Sequence, residues 1–422
     1  EKPPKANWVI GILGLIILLS GYTIALKIES PLSALAWFFI AVILIIVGTY
    51  LVLIAGSVLL CRILQKNKTY SYKTNHFVSV SSMAFRMKRN GAGLASICIL
   101  LTMILVMISS TAALYFNREE TLTTRYPKQI NVTATNTGVL ENSEEVISKM
   151  ENAVSKCVKD SGAEITEDMS ASYYGLSGYF DNNKTVDIDL DPYTTLSTTF
   201  DFDSVVQVYF FDVETYNRLN NKNETLSPGK ILLCIDGNIQ VGDEIIIGKK
   251  AFEVEKKVDY KDGKMKYAVG TSVVSTIVLI VDDLNEAVAA FSEYTDSRGE
   301  PMLVWKWTYD FDTNLDSKGQ MELRGKIGSY IDDEPGVPDP VVYYSFSRDA
   351  ERNDFVSTFG GLFFLGILLS IIFMVSCILI IYYKQISKGF EDHSRFSIMQ
   401  KVGMTKENIK KKFQYEKLPI VD

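Results

Sequence analysis

The sequence predicts a membrane protein in which an α-helical bundle of four transmembrane spans carries one large, inserted extracellular α+β domain. Three observations predict this fold class. Four long stretches contain no Asp, Glu, Lys or Arg, basic residues cluster beside them, and an acidic stretch of about 240 residues separates the last two. The mean composition, 47% hydrophobic and 22% charged, hides this segregation.

The uncharged stretches are long enough to cross a bilayer. They cover residues 8–26, 31–61, 91–117 and 355–383. A hydrocarbon core about 30 Å thick requires about 20 helical residues, and unpaired backbone groups in lipid are costly. A buried helix of a soluble protein is usually shorter and keeps a polar face. The sequence therefore predicts four transmembrane helices, with Gly14, Gly21 and Gly48 among the small residues available for close helix packing.

Basic residues set the orientation. The segment between the second and third stretches contains no acidic residue and carries Arg62, Lys66, Lys68, Lys73, Arg86, Lys88 and Arg89. The segment after residue 383 holds nine Lys and Arg against five Asp and Glu. Because cytoplasmic loops carry the excess of Lys and Arg, both segments are predicted to be cytoplasmic. The amino end then also lies inside, and residues 118–354 lie outside.

These assignments divide the chain into six parts. In chain order they are a transmembrane hairpin at 1–61, a basic cytoplasmic loop at 62–90, the third span with a stalk at 91–127, the extracellular α+β domain at 128–346, a stalk with the fourth span at 347–383, and a cytoplasmic coupling segment at 384–422. The chain begins without Met or a signal peptide, which is typical of an internal fragment.

The extracellular block is strongly acidic. Residues 118–354 hold 24 Lys and Arg against 43 Asp and Glu, a formal charge of −19, whereas the rest of the chain carries +12. Such a surface attracts cationic partners over long range, although solubility alone would also favour it.

Strand and helix patterns alternate within this block, as is typical of an α+β domain. The predicted strands cover residues 129–133, 205–211, 230–235, 245–247, 252–258, 275–281, 302–307 and 341–346. The predicted helices cover residues 146–158, 213–219, 283–294 and 319–331. Asn142, with Glu145 three residues later, is the candidate cap of the first helix.

Cysteines and aromatic residues add two further expectations. Cys157 and Cys234 are the only cysteines in the extracellular block, so one disulfide is available and a disulfide framework is not. Trp305, Trp307, Tyr309 and Phe311 alternate, which would place them on one face of a regular strand. A core face is favoured; the alternative is an exposed aromatic ledge for an amphiphilic peptide.

The sequence offers little for catalysis, so no enzymatic activity is expected. The only histidines are His76 and His393, both predicted to be cytoplasmic, which excludes an external zinc site or His-based triad. Asp187, Asp189 and Asp191 alternate, but the Gly and the later Glu of a calcium loop are missing, which favours a solvated strand edge. No phosphate-binding Gly-x-x-x-x-Gly-Lys loop is present, so neither a metal nor a cofactor is expected in this chain, and ATP would be bound by a partner.

The segment after the fourth span carries the most specific pattern. Ile398, Met399 and Val402 form an apolar stripe at helical spacing, Gly403 ends that helix, and Thr405 caps the next. An acidic and basic stretch precedes them. The arrangement resembles the cytoplasmic loop of FtsX-type ABC transporter permeases, which docks on the ATPase.

The resemblance implies a set of ATPase-coupling residues: Ile398, Met399, Lys401, Val402, Gly403 and Met404. An amphipathic helix on the inner leaflet is the alternative, because Lys401, Lys406 and residues 410–412 suit anionic lipid.

A second resemblance covers residues 78–90 (VSVSSMAFRMKRN), which run into Gly93, Leu94 and Ala95. This segment resembles the BceB-like branch of these permeases, which serves antimicrobial-peptide sensing and resistance in the plasma membrane of Gram-positive bacteria. That branch has ten helices, with a large extracellular domain between the seventh and the eighth. The resemblance implies that the four helices here are the fifth to the eighth, and that the partners are an ABC ATPase, a sensor histidine kinase and a cationic peptide or lipid–peptide complex.

Two other functions fit the same features. One is a membrane-anchored receptor that binds a ligand outside and signals without ATP. The other is an FtsX-type exporter of lipids or lipoproteins, or an activator of a wall hydrolase. No motif in the extracellular block identifies ligand-binding residues.

Overall fold

The structure is a computed structural model that describes residues 8–27, 31–66, 74–181, 184–188, 204–237, 239–261, 263–270, 274–296, 298–338 and 341–401. It divides into two compact units. The helical unit comprises the described residues within 1–27, 37–114 and 361–422, and the sheet unit comprises those within 28–36 and 115–360.

The predicted elements occur in the predicted order, together with others that the sequence did not predict. The helices are α1 (Trp8–Lys27), α2 (Pro31–Lys66), α3 (Thr74–Phe116), α4 (Arg118–Arg125), α5 (Ser143–Asp160), α6 (Val213–Asn220), α7 (Met265–Val269), α8 (Leu284–Ala289), α9 (Ser317–Asp332) and α10 (Arg348–Lys401). The strands are β1 (Ile130–Thr137), β2 (Ile165–Phe180), β3 (Thr185–Asp187), β4 (Val205–Asp212), β5 (Lys230–Asp236), β6 (Glu244–Ile247), β7 (Lys250–Lys257), β8 (Ser275–Val281), β9 (Val304–Thr313) and β10 (Val342–Ser347).

Four of the described helices are long and apolar enough to cross a membrane. The apolar parts are Trp8–Lys27, Trp37–Gly56, Gly91–Phe116 and Arg348–Ser387. Each of these four parts contains all or most of one uncharged stretch of the sequence. The chain is therefore a membrane protein with four helices suited to span the bilayer.

Glycines bring α1 and α2 into close contact. A Cβ added to Gly14 would lie 2.6 Å from the Leu51 Cβ, and one added to Gly48 would lie 2.7 Å from the Leu18 backbone nitrogen. No side chain fits at such distances, so the backbones approach one another directly at these two positions. This is the packing that small residues permit between helices in lipid.

Two predicted segments prove more helical than expected. The basic segment 62–90 belongs to α2 up to Lys66 and to α3 from Thr74 onward. The coupling segment does not begin as a separate short helix, because α10 runs without interruption from Arg348 to Lys401. The backbone hydrogen bonds of a helix can continue beyond its apolar part. The pattern of charges in the sequence therefore does not show where such a helix ends.

The sheet unit is built on a ten-stranded mixed sheet. Its order is β10-β1-β9-β2-β3-β6-β7-β5-β8-β4, with an additional pairing of β2 with β4. That pairing closes seven strands into a ring, β2-β3-β6-β7-β5-β8-β4, and leaves β9, β1 and β10 as an antiparallel extension. Closure pairs strands that would otherwise be edges.

The strands bury both faces of the sheet. One cluster packs under α5 and α9, and it contains Tyr174 and all four alternating aromatic residues of β9. A second cluster contains Tyr173 and packs under α6 and α7. Trp305, Trp307 and Phe311 are fully buried and Tyr309 nearly so, which confirms the core face. The exposed aromatic ledge is wrong.

The disulfide between Cys157 and Cys234 does not form. Cys157 lies in the first cluster on α5, whereas Cys234 lies in the second cluster on β5. Both thiols are free and buried. Burial raises the pKa of each thiol, that of Cys234 to about 12. The sheet therefore separates the two sulfur atoms.

The structure corrects several element boundaries. β2, β3 and α7 have no predicted counterpart, β9 extends to Thr313, and α8 ends at Ala289 rather than near residue 294. Asn142 does occupy the N-cap position of α5, but it adopts a left-handed conformation with φ 54° and its side chain makes no capping bond. Asp316 does cap α9, since its Oδ1 accepts a hydrogen bond from the Gly319 amide at 2.8 Å.

Candidate functional site: the stalk junction

The chain enters and leaves the sheet unit at one place. β1 and β10 are antiparallel neighbours in which Ile130 faces Ser347, and the Arg348 amide donates to the Gln129 carbonyl at 2.8 Å. The residues before β1 and after β10 therefore lie side by side. We call this region the stalk junction: α4, residues 126–129 and the first turns of α10, 348–352.

Charged side chains join the two halves of the stalk junction. The Arg352 guanidinium donates through Nε to Glu119 at 3.2 Å and through Nη1 to Asp349. The Arg348 Nη1 donates to the Pro127 carbonyl at 3.2 Å. Exposed ion pairs are each worth only about 0–1 kcal/mol, so these contacts orient the helices more than they stabilise them.

Buried aromatic and aliphatic groups hold the junction together. Leu122 and Tyr126 are 1% and 8% exposed, and the Tyr126 ring lies 6.0 Å from the Phe346 ring, measured between centroids. The Tyr126 hydroxyl donates to Glu351 at 3.4 Å. Burial and the Glu351 carboxylate raise the pKa of Tyr126, so it remains a neutral donor.

Lys128 fixes the junction to the sheet. Its Nζ donates to Asp312 on β9 at 2.8 Å and to Glu167 on β2 at 2.5 Å. Burial opposes the charged form, but the hydrogen bonds to both carboxylates outweigh it and raise the pKa of Lys128. The Asp312 carboxylate also accepts from the Gln129 amide at 2.9 Å. One lysine thus ties the entering chain to two further strands.

This arrangement can transmit displacement. β1 and β10 adjoin α4 and α10 in the chain, and the side-chain contacts of Arg352 and Tyr126 join those two helices. The sheet is closely packed and yields little to compression. The junction therefore links two helices and two strand ends through direct contacts.

Three of the six predicted coupling residues lie at the other end of α10. Ile398, Met399 and Lys401 belong to its last described turns, and Val402, Gly403 and Met404 lie outside the described residues. The sequence did not predict the stalk junction. Its charges at 118–120 and 348–352 are visible in the sequence, but their pairing depends on β1 lying beside β10.

Nothing in the described part of the chain indicates a metal centre. No group of three His, Cys, Asp or Glu residues there could hold an ion. Asp187 ends β3, while Asp189 and Asp191 lie outside the described residues.

Comparison of the chain with protein-family models and with curated proteins gives no match.

Proposed function

We propose that the chain is the permease subunit of an FtsX-type ABC transporter, in which ATP hydrolysis by a separate ATPase moves the sheet unit for resistance to, or sensing of, antimicrobial peptides. One observation carries the proposal. α10 runs unbroken from the last strand of the sheet unit, through a membrane-compatible stretch, to the segment that holds Ile398 and Met399.

The proposed mechanism is mechanical coupling rather than passage through a pore. The ATPase engages the segment around residues 398–404, on the basic and hence cytoplasmic side. Displacement passes along α10, because a helix with its backbone hydrogen bonds intact resists stretching. At the stalk junction, Arg352 and Tyr126 pass it to α4 and to the ends of β1 and β10.

The proposed ligand follows from charge. The inserted block carries a formal charge of −19. On the outer face it would raise the local concentration of a cationic peptide or of its complex with a lipid. A sensor histidine kinase would be a further partner in the sensing role.

Co-purification tests the proposal. The full-length membrane protein is purified in mild detergent as wild type, as Val402→Asp and as Gln400→Asp, and accompanying ATPases are identified by mass spectrometry. Val402 lies on the apolar stripe and Gln400 does not, so both variants add an Asp but only one disrupts the predicted contact. We expect an ABC ATPase with wild type and Gln400→Asp, and its loss with Val402→Asp.

Two other outcomes of the co-purification would change the conclusion. If no ATPase accompanies the wild-type protein, the proposal is wrong and a receptor that signals without ATP takes its place. Release by Gln400→Asp as well would show that the helix, rather than its apolar stripe, is disturbed.

A further inference from the structure

One strand of the ring keeps an open edge. β2 pairs with β9 from Ile165 to Gly175, and on its other side it pairs with β4 only from Tyr174 to Tyr179. Tyr174 faces partners in both strands, so β9 and β4 lie on opposite sides of β2. Among the residues that the structure describes, no strand pairs with residues 167–172 on the side away from β9. We call this stretch the open edge.

A cleft of about 390 Å³ lies along the open edge. Its β2 wall includes Asp168, Met169, Ser170 and Ser172, and its other walls include Glu151 of α5 and Arg218 of α6. The cleft therefore exposes successive residues of one strand between two helices. Unpaired backbone groups of this kind are a template for a further strand.

The side chains of the cleft are held in place from below. Trp307 donates through Nε1 to the Ser170 Oγ at 3.0 Å, and the Tyr309 hydroxyl donates to the Asp168 Oδ2 at 3.2 Å. Both aromatic residues belong to the core. The strand can thus receive a ligand without first being ordered, which lowers the entropic cost of binding.

Charge determines which ligand fits. Asp168 and Glu151 bring two carboxylates to the lining of the cleft and Arg218 brings one guanidinium, so negative charge is in excess there. A second copy of the chain would bring another strongly acidic block to this edge, which like-charge repulsion disfavours. An extended peptide with basic side chains satisfies both the backbone groups and the carboxylates.

We propose that the open edge of β2 binds an extended, basic peptide as an added β-strand, with a Lys or Arg of the peptide against Asp168 and Glu151. The inference deepens the proposed function and rests on it for the role of the sheet unit as the ligand-binding part. It locates that ligand on named residues. Backbone pairing supplies the affinity, and the two carboxylates select for positive charge.

The test uses the full chain in phosphatidylcholine nanodiscs, without ATPase or nucleotide. The probe is a fluorescein-labelled peptide of about ten residues with alternating Lys and Thr, and fluorescence anisotropy reports binding. The matched peptide carries N-methyl groups on alternate amides along one edge, which removes donors and blocks strand pairing but keeps every charge. A second matched peptide is methylated along its other edge. We expect one methylated peptide to bind at least about tenfold more weakly than the parent.

Protein variants make the test specific. Glu151→Lys with Asp168→Asn is expected to weaken binding at least about tenfold, and Glu151→Gln alone to weaken it partly. Glu293→Lys makes the same charge change as Glu151→Lys alone, at an exposed residue outside the cleft, and is expected to bind like the wild type. Unchanged thermal melting of each variant, followed by Trp fluorescence, shows that the fold is kept.

Three results would overturn the inference: no binding of the parent peptide, equal binding of both methylated peptides and the parent, or unchanged binding to the double variant. Because no ATPase is present, these failures leave the coupling proposal standing. Loss of the ATPase partner in co-purification would, conversely, leave the edge-binding result intact.

Discussion

Asp310 places a carboxyl group inside the sheet, where an uncompensated charge is costly. The residue is 3% exposed on β9, and its Oδ1 accepts a hydrogen bond from the Asn131 Nδ2 at 2.9 Å. Burial raises the pKa of Asp310 from 3.8 to about 6, although Asn131, Lys306 and Lys128 act in the opposite direction. Burial also lowers the pKa of the neighbouring Lys306. The strand thus carries two side chains whose charged forms are disfavoured.

This pKa predicts a pH dependence of stability. Because the folded-state pKa lies above the unfolded value of 3.8, the protonated Asp310 stabilises the fold below about pH 4, and this contribution is lost as the pH rises through about 6. The full effect is on the order of 3 kcal/mol. Asp310→Asn keeps the shape and stays neutral, so the variant should gain stability relative to wild type between pH 4 and pH 7.

The measurement is urea unfolding of both proteins in detergent at several pH values, followed by Trp fluorescence. A difference in unfolding free energy that stays constant across this range would contradict the prediction. Comparing the two proteins at each pH cancels the titration of all other groups.

The cysteines of the sheet unit predict a second result at this scale. Cys157 and Cys234 are buried on opposite faces of the sheet, and burial keeps both thiols protonated. We expect identical mobility on reducing and non-reducing gels, and no labelling of this unit by a membrane-impermeant maleimide until denaturant is added. Rapid labelling of either cysteine in the native protein would show that its cluster is open.

At the scale of elements, the close packing of α1 against α2 depends on glycines, whose side chain is a single hydrogen atom. A Cβ at Gly48 would lie within 3.0 Å of three Leu18 atoms, two of them backbone, whereas a Cβ at Gly56 of the same helix meets no described atom within 4 Å. The two glycines therefore form a matched pair. Of the two positions, only Gly48 leaves no room for a Cβ atom beside the neighbouring helix.

We expect Gly48→Ala to destabilise the helical unit by about 1–3 kcal/mol, because the helices must separate or bend to admit the methyl group. Gly56→Ala should be neutral or slightly stabilising, since Ala is the better helix former. Thermal denaturation in detergent compares the two. Equal midpoints for both variants would mean that the α1–α2 contact is looser than these distances indicate.

At the scale of the whole molecule, inserting a large domain between two helices requires its ends to be close together. The antiparallel pair of β1 and β10 provides this, and the ring of seven strands gives the unit a core of its own. The sheet unit thus makes its own stable fold while presenting both arms at the stalk junction. Under the proposed function, movement of α10 would reach the sheet unit at this junction.

A charge reversal at the junction tests that coupling. Glu119 pairs with Arg352 across the two arms, whereas the adjacent Glu120 is exposed and forms no ion pair among the described residues. Glu119→Lys should reduce the peptide-stimulated ATPase rate of the complex several-fold, while Glu120→Lys should leave it near the wild-type rate. Stability should change by less than about 1 kcal/mol in either variant, because both sites are exposed.

The basal ATPase rate is the control for correct assembly. Equal stimulation in both variants would show that the Glu119–Arg352 pair does not carry the coupling. A loss of stimulation in both would point to charge on α4 in general rather than to the pair.

The sequence by itself determined the features that depend on local pattern. The length of the uncharged stretches predicted the four apolar helices. A continuous apolar run at residues 277–281, rich in Val and Ile, predicted β8, because a strand buried on both faces needs apolar side chains at every position. The FtsX-type resemblance and the coupling residues at 398–404 remain predictions. The aromatic alternation at 305–311 also identified its core face correctly.

Only the tertiary structure decided which distant segments meet. β2 escaped prediction because its polar residues, such as Asp168 and Ser170, line a cleft and its two halves bury different faces. The separation of Cys157 from Cys234, the pairing of Arg352 with Glu119 and the open edge beside Glu151 all join residues far apart in the chain. Such contacts arise from strand order and ring closure, which no local period encodes.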